Sequence, residues 1–177
     1  ISDKVYNEDV SYNIFITGGA YNDLSQNIYL CGYNKTNAYL NLCLVVIKEN
    51  DVKKTIERFG HIDILVNNAG ILPTLKSLDK ISENEWNETI DINLNGTFRF
   101  TKAVIPHMKK SGGSIINISS EAGLKPFEIF TDDAYTASKS AIILLTKSWA
   151  LEFAKNNIRV NCVSAAVVDT PDFIAIV

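Results

Sequence analysis

The stretch "GGSIINISSEAG", Gly112–Gly123, decides the fold. Its apolar run reads as a strand, Ser114–Ile118, which delivers Ser119 and Ser120 to its C-terminal end, where parallel α/β sheets place their ligands. Downstream, a helix is predicted over about Asp133 to Asn156, with an apolar stripe through Ile142, Leu145, Trp149 and Phe153, and a further strand over Arg159–Ser164. Ile143 and Leu144 lie off that stripe, so the helix is expected to be covered on two sides, by the sheet and by another subunit. Upstream, strands are predicted at Asn13–Thr17, Tyr39–Ile47 and Ile62–Val66, with a short helix at Asp51–Phe59 ending at Gly60. A long helix from Ser82 to about Lys110 opens on a capping box, Ser82 with Glu85; Gly96 weakens its middle and Pro106 disturbs its last turn. Short apolar strands alternating with longer helical patterns mark an α/β protein with a mostly parallel sheet. Without repeats or linkers, residues 1–177 are expected to form one domain.

The 177 residues, 46% hydrophobic and 21% charged, suit one domain with a real core. A net charge of −3 leaves no basic excess for a polyanion, and no basic run exceeds a pair such as Lys109-Lys110, so nucleic acid is not an expected partner. Cys31, Cys43 and Cys162 form no CxxC pattern and are odd in number, which favours a reducing, cytoplasmic compartment. His61 and His107 lie far apart without a ligand partner, so no metal site is expected. No apolar run approaches the roughly 18 residues of a membrane span. Ile1 is not an initiator Met, so processing, trimming or partial representation of the chain all remain open.

The strongest chemical signal is "YTASK", in which Tyr135 and Lys139 stand one helical turn apart on one face. A phenol titrating near pH 10 exchanges protons poorly at neutral pH, and a neighbouring ammonium lowers that value by favouring the phenolate. Such a pair alone is more often solvated surface, and serines after a strand often only begin a turn. Two further segments add weight: "DILVNNAG" at Asp63–Gly70 and "DINLNGTF" at Asp91–Phe98.

Taken in this order, NNAG, the Asn of the long helix, the Ser after the next strand and YxxxK resemble the classical short-chain dehydrogenases/reductases. The likeness runs from about Asn50 to Pro171, roughly two-thirds of the chain. It implies a Rossmann-like doubly wound parallel sheet in a three-layer α/β/α arrangement. It also implies NAD or NADP as cofactor, a small-molecule alcohol or ketone as substrate, and assembly as a homodimer or homotetramer through the two long helices. By this resemblance Tyr135 is the general acid/base, Lys139 lowers its pKa and holds the nicotinamide ribose, Ser120 orients the substrate oxygen, and Asn93 positions a water in a proton relay. Ser119 is the less favoured serine of its pair. The resemblance also assigns Thr17, Gly18, Asn67, Ala69, Gly70, Val168 and Thr170 to the cofactor, with Asn67 bracing the sheet as well.

The chain departs from the family at several places. The family's phosphate loop reads Thr-Gly-x-x-x-Gly-x-Gly; Thr17 and Gly18 match, but Asn22 and Leu24 occupy the other glycine places. Only 44 positions separate Thr17 from His61, too few for the two further strands and helices of a full Rossmann half, so the sheet is expected to be reduced by one or two strands. Tyr39–Val45 contains no acidic residue to hold the adenosine ribose, which leaves NAD against NADP unread. Ala165-Ala166 stands where the family has Pro-Gly, and the Ser120–Tyr135 interval is about two residues longer, placing an altered loop at Lys125–Asp132. Two functions therefore stand open: an NAD(P)-dependent oxidoreductase with an irregular cofactor loop, or an inactive binding or assembly module on the same fold.

Overall fold

A computed structural model describes residues 10–17, 30–34, 49–72, 76–125 and 133–166. In chain order the elements are β1 (Val10–Thr17), β2 (Leu30–Asn34), α1 (Glu49–Phe59), β3 (Ile64–Asn67), α2 (Glu83–Ile90), a π-helical segment Asp91–Asn95, α3 (Gly96–Met108), β4 (Gly113–Ser120), α4 (Asp133–Phe153) and β5 (Ile158–Ala165). The strands make one sheet in the order β2-β1-β3-β4-β5. All neighbours are parallel except β1 and β2, which run antiparallel at one edge. The Rossmann-like α/β arrangement is as expected, whereas the antiparallel edge strand is not. The sequence reading found no strand at Leu30–Asn34, where Gly32 and Asn34 interrupt the apolar pattern. Its expected strand at Tyr39–Ile47 lies outside the described residues.

The described helices stand side by side, α1 against α3 and α2 against α4, and one core joins α1, α3 and α4 to the sheet. Leu65, Ile115 and Val160 are register partners on β3, β4 and β5, and form an apolar row across the sheet. Val52, Val104, Ile105, Met108 and Phe153 cover that row from α1, α3 and α4. Two residues along the strands, on the same face, the row becomes polar: Asn67 pairs in register with Asn117. Asn67 donates from Nδ2 to Thr101 Oγ1 at 2.9 Å and to Asn117 Oδ1 at 2.8 Å; Asn117 Nδ2 donates to Thr146 Oγ1 at 2.8 Å. Thr146 passes its own proton to the Ile142 carbonyl at 2.8 Å. Buried amides tolerate this depth only when bonded, so the side chains of β3, α3, β4 and α4 hold one another in register directly below the site.

The expected long helix is realised as α2, the π segment and α3 in one continuous run. Ser82 accepts from the Glu85 N–H while the Glu85 carboxylate accepts from the Ser82 N–H, which completes the capping box. Lys76 closes an ion pair onto the same carboxylate, and this bond, followed by those from Ser82, holds the Glu85 carboxyl down at about pH 2. Glu85 therefore stabilises the fold above its ordinary carboxylate range, and that contribution disappears as pH falls from about 4.5 towards 2. Helix α1 ends at Gly60 as expected, and α4 ends in a 3-10 turn, Ala154–Asn156, followed by left-handed Asn157.

Ser82→Ala should lower stability by about 1 kcal/mol at neutral pH. Because Glu85 also loses the bond from the Ser82 hydroxyl, while keeping Lys76 and the Ser82 N–H, part of the deficit should shrink as pH is lowered towards 2 in chemical denaturation; a deficit independent of pH would separate the cap from Glu85.

Candidate active site

Tyr135 and Lys139 occupy the first turns of α4, and the Lys139 Nζ lies 5.5 Å from the centre of the Tyr135 ring, within cation–π range. Lys139 is 4% exposed, and its ammonium donates to the Ile118 carbonyl of β4 at 3.0 Å. Burial lowers its pKa from 10.5 to about 8, with Cys162 on β5 acting in the opposite sense. The ammonium form still predominates at neutral pH. A fixed positive charge is thus held beside a phenol in a poorly hydrated place.

Asn93 sits inside the π segment with no solvent exposure. Its Oδ1 accepts from the Ile71 N–H at 2.8 Å, and its Nδ2 donates to the Ile71 carbonyl at 3.0 Å and to Ser138 Oγ at 3.2 Å. The two backbone groups fix which way the amide faces, since one can only donate and the other only accept. The Asn93 carbonyl accepts from Thr97 Oγ1 at 2.9 Å. π turns widen a helix by one residue, and this one turns Asn93 inward while leaving Asp91 on the outside. Arg99 grips Asp91 with both terminal guanidinium nitrogens, at 3.0 and 2.6 Å, and Asn95 adds a bond at 3.0 Å. These donors, Arg99 foremost, hold the Asp91 carboxyl below its usual range.

The two serines after β4 separate in role. Ser119 is buried and donates to the Lys139 carbonyl at 2.8 Å, so its proton is committed to the fold. Ser120 is only partly buried; its Oγ accepts from the Ala122 N–H at 3.2 Å and caps a 3-10 turn, Glu121–Gly123, which orients the hydroxyl without using its proton. That turn lies directly on α4: a Cβ on Gly123 would come within 2.7–2.9 Å of Lys139 C and O and Ser140 N. Ser140 Oγ closes the contact by donating to the Gly123 carbonyl at 3.0 Å. Ser120 is thereby carried to the end of the sheet where Lys139 meets Ile118.

Of the other expected site residues, Gly70 lies in the same place. A Cβ there would stand 3.3 Å from both Asn93 Oδ1 and Lys139 Nζ, so only a glycine leaves this approach open without a shift. Asn67 has turned both amide hydrogens into the interior, where it braces the sheet, and its buried Oδ1 has no hydrogen-bond partner among the described residues. Ala69 follows in the same loop, and Thr17 ends β1 in register with Asn67. Gly18, Val168 and Thr170 lie outside the described residues, as do Asn22 and Leu24 of the glycine loop. Among the described residues no group of three or more potential metal ligands occurs, and no helix is long and apolar enough to cross a membrane. The sequence reading missed Ser138, whose signal was present: it stands three residues after Tyr135 within YTASK.

Comparison with known proteins gives one consistent result. The short chain dehydrogenase family model matches residues 46–176. The chain is 43% identical to the 3-oxoacyl-(acyl-carrier-protein) reductase FabG of Thermotoga maritima over 121 residues, covering 68% of this chain and 48% of the relative. It is 48% identical to the trans-4-hydroxycyclohexanecarboxylate dehydrogenase of Sinomonas cyclohexanicum over 120 residues, 68% of this chain and 45% of the relative. Among solved structures, carveol dehydrogenase from Mycobacterium avium in complex with NAD superposes with a TM-score of 0.65 at 37% identity, over 69% of this chain and 44% of that one. The chain thus spans about half the length of the curated relatives it matches.

Gly123→Ala should be destabilising by more than 1 kcal/mol, because the new methyl meets helix backbone rather than a movable side-chain end; an unchanged melting temperature would contradict the contact. Lys139→Met tests the buried charge. The folded pKa lies below the unfolded one, so Lys139 costs stability below about pH 8 and that cost is relieved as pH rises towards 10.5. The Met variant should gain up to about 3 kcal/mol over the parent at pH 7, by linkage alone, with the gap narrowing towards pH 10. A gap constant with pH would show that the ammonium is not desolvated.

Proposed function

The chain belongs to the short-chain dehydrogenase family, and from that premise we propose that it is an NAD(P)-dependent oxidoreductase interconverting a small alcohol and its carbonyl. The observation that carries the reading is the buried Lys139 ammonium held beside Tyr135, with Asn93 bonded to Tyr135 through Ser138 and facing Gly70 together with Lys139. The residues present fit a nicotinamide cofactor: at the C-terminal end of β3 a Cβ-free Gly70 leaves open the approach to Lys139 and Asn93. Bound there, the cofactor supplies or accepts the hydride at the substrate carbon.

In the reducing direction Tyr135 gives its phenolic proton to the carbonyl oxygen, and in the oxidising direction takes it back. The Lys139 charge favours the phenolate, which brings the phenol's acidity towards neutral pH. Ile118 takes one of the three ammonium hydrogens, and the others would be available to hold the hydroxyls of a nicotinamide ribose. The Ser120 proton, not used by its cap bond, points the substrate oxygen towards Tyr135. Asn93 would position a relay water through one of its two carbonyl oxygens, the side-chain Oδ1 that accepts from Ile71 or the main-chain oxygen that accepts from Thr97. Thr17, Gly18, Asn67, Ala69, Val168 and Thr170 complete the cofactor contacts in this reading.

Residues 1–177 act in this proposal as one cytoplasmic domain that assembles as a homodimer or homotetramer. Leu144 and Leu151, 69% and 83% exposed and two turns apart on α4, support such a contact, with Phe98 exposed on α3. The inactive-module reading draws its support from Asn22 and Leu24 in the glycine places.

Oxidation of NADH or NADPH by a panel of aldehydes and ketones tests the proposal. Tyr135→Phe should lower kcat/KM by about 10²–10⁴-fold while leaving cofactor affinity within about twofold. An equal rate in the variant would remove Tyr135 from the chemistry, and a folded parent that binds cofactor yet reduces nothing on the panel would favour the inactive module.

A further inference from the structure

Ser138 has no solvent exposure, and its hydroxyl joins two residues of the proposed catalytic set. Its single proton goes to the Tyr135 carbonyl at 2.7 Å, and its oxygen accepts from Asn93 Nδ2 at 3.2 Å. The direction of both bonds is forced. Ile71 offers Asn93 one backbone donor and one backbone acceptor, which places the Asn93 NH2 towards Ser138. Ser138 must therefore accept from Asn93, and its own hydrogen is left for Tyr135.

From this geometry we infer that Ser138 is a positioning residue, which locks the first turn of α4 to the π segment and so fixes the Tyr135 phenol relative to Lys139. The inference rests on the proposed catalytic roles of Asn93, Tyr135 and Lys139. The chain of bonds runs from the loop at Ile71, through the interior Asn93, to the carbonyl of the residue that carries the phenol. Only a group that donates and accepts at once completes it. An alanine at 138 keeps the helix but leaves one Asn93 hydrogen unbonded, and frees the Tyr135 turn to move against its neighbours. Lys139 is the next residue, so the 5.5 Å between its Nζ and the Tyr135 ring is set at this joint.

The test is the ionisation of Tyr135 in the full chain, read from phenolate absorbance during an alkaline titration. Subtracting Tyr135→Phe in the same background isolates its signal from the other six tyrosines. With Ser138→Ala, the Tyr135 midpoint should rise by about half a unit or more as the phenol loses its fixed place beside Lys139, the charge set against its ring. Where turnover is measurable, kcat should fall by about tenfold with KM nearly unchanged. Should the alanine variant fail to fold by circular dichroism, Ser138→Cys, a weaker hydrogen-bonding group of similar shape, carries the same comparison. A Tyr135 midpoint unmoved in the folded variant overturns the inference, even if the parent protein reduces ketones. A moved midpoint in a parent that binds no cofactor sustains it and counts only against the proposed function.

Discussion

A buried ammonium held against a main-chain carbonyl is the constraint around which this structure is arranged. Lys139 costs stability by being out of water, and the surrounding chain is shaped to keep it there. Gly70 and Gly123 give up their side chains so that a loop and a turn can close on it, and Ser119 ties its carbonyl to the end of β4. Destabilising arrangements of this kind persist where chemistry needs them. The same residues would be hard to explain as packing alone, since a methionine would fill the space at less cost.

Beneath this charge the core changes character within one strand period. The row Leu65, Ile115 and Val160 supplies non-directional apolar burial, which any residues of similar volume would provide. The next row, Asn67 and Asn117 with Thr101 and Thr146, is directional and sets how β3 and β4 stand against α3 and α4. The π segment adds one further fixed joint, turning Asn93 inward to Ile71 and Ser138 while Arg99 clamps Asp91 outside. Rigidity at the site thus comes from hydrogen bonds whose donors and acceptors admit one arrangement, laid over a core that admits many.

Much of this was legible in the sequence. The strands at β3, β4 and β5 and the capping box at Ser82 announce themselves through apolar runs and a local hydrogen-bond pattern. Tyr135 and Lys139 do so through one-turn spacing. Strand β2 was not legible, because its place depends on pairing with β1 and not on its own composition. The π segment was equally hidden: Asp91–Asn95 carries no residue that demands it, and it arises from what Asn93 meets in space. The division of labour between Ser119 and Ser120 also needed coordinates, since alternation along a strand gives opposite faces but not which face meets α4. Ser138 was present within a quoted motif, yet its partner lies 45 positions away.

The most direct measurement is a titration of the folded chain with NADH and with NADPH, following energy transfer from Trp86 and Trp149 to the reduced nicotinamide, in the parent and in Lys139→Ala. The account predicts saturable transfer with at least one of the two cofactors, weakened by tenfold or more in the variant. Absence of saturable binding in a folded parent, or equal affinity with and without the Lys139 ammonium, would contradict it.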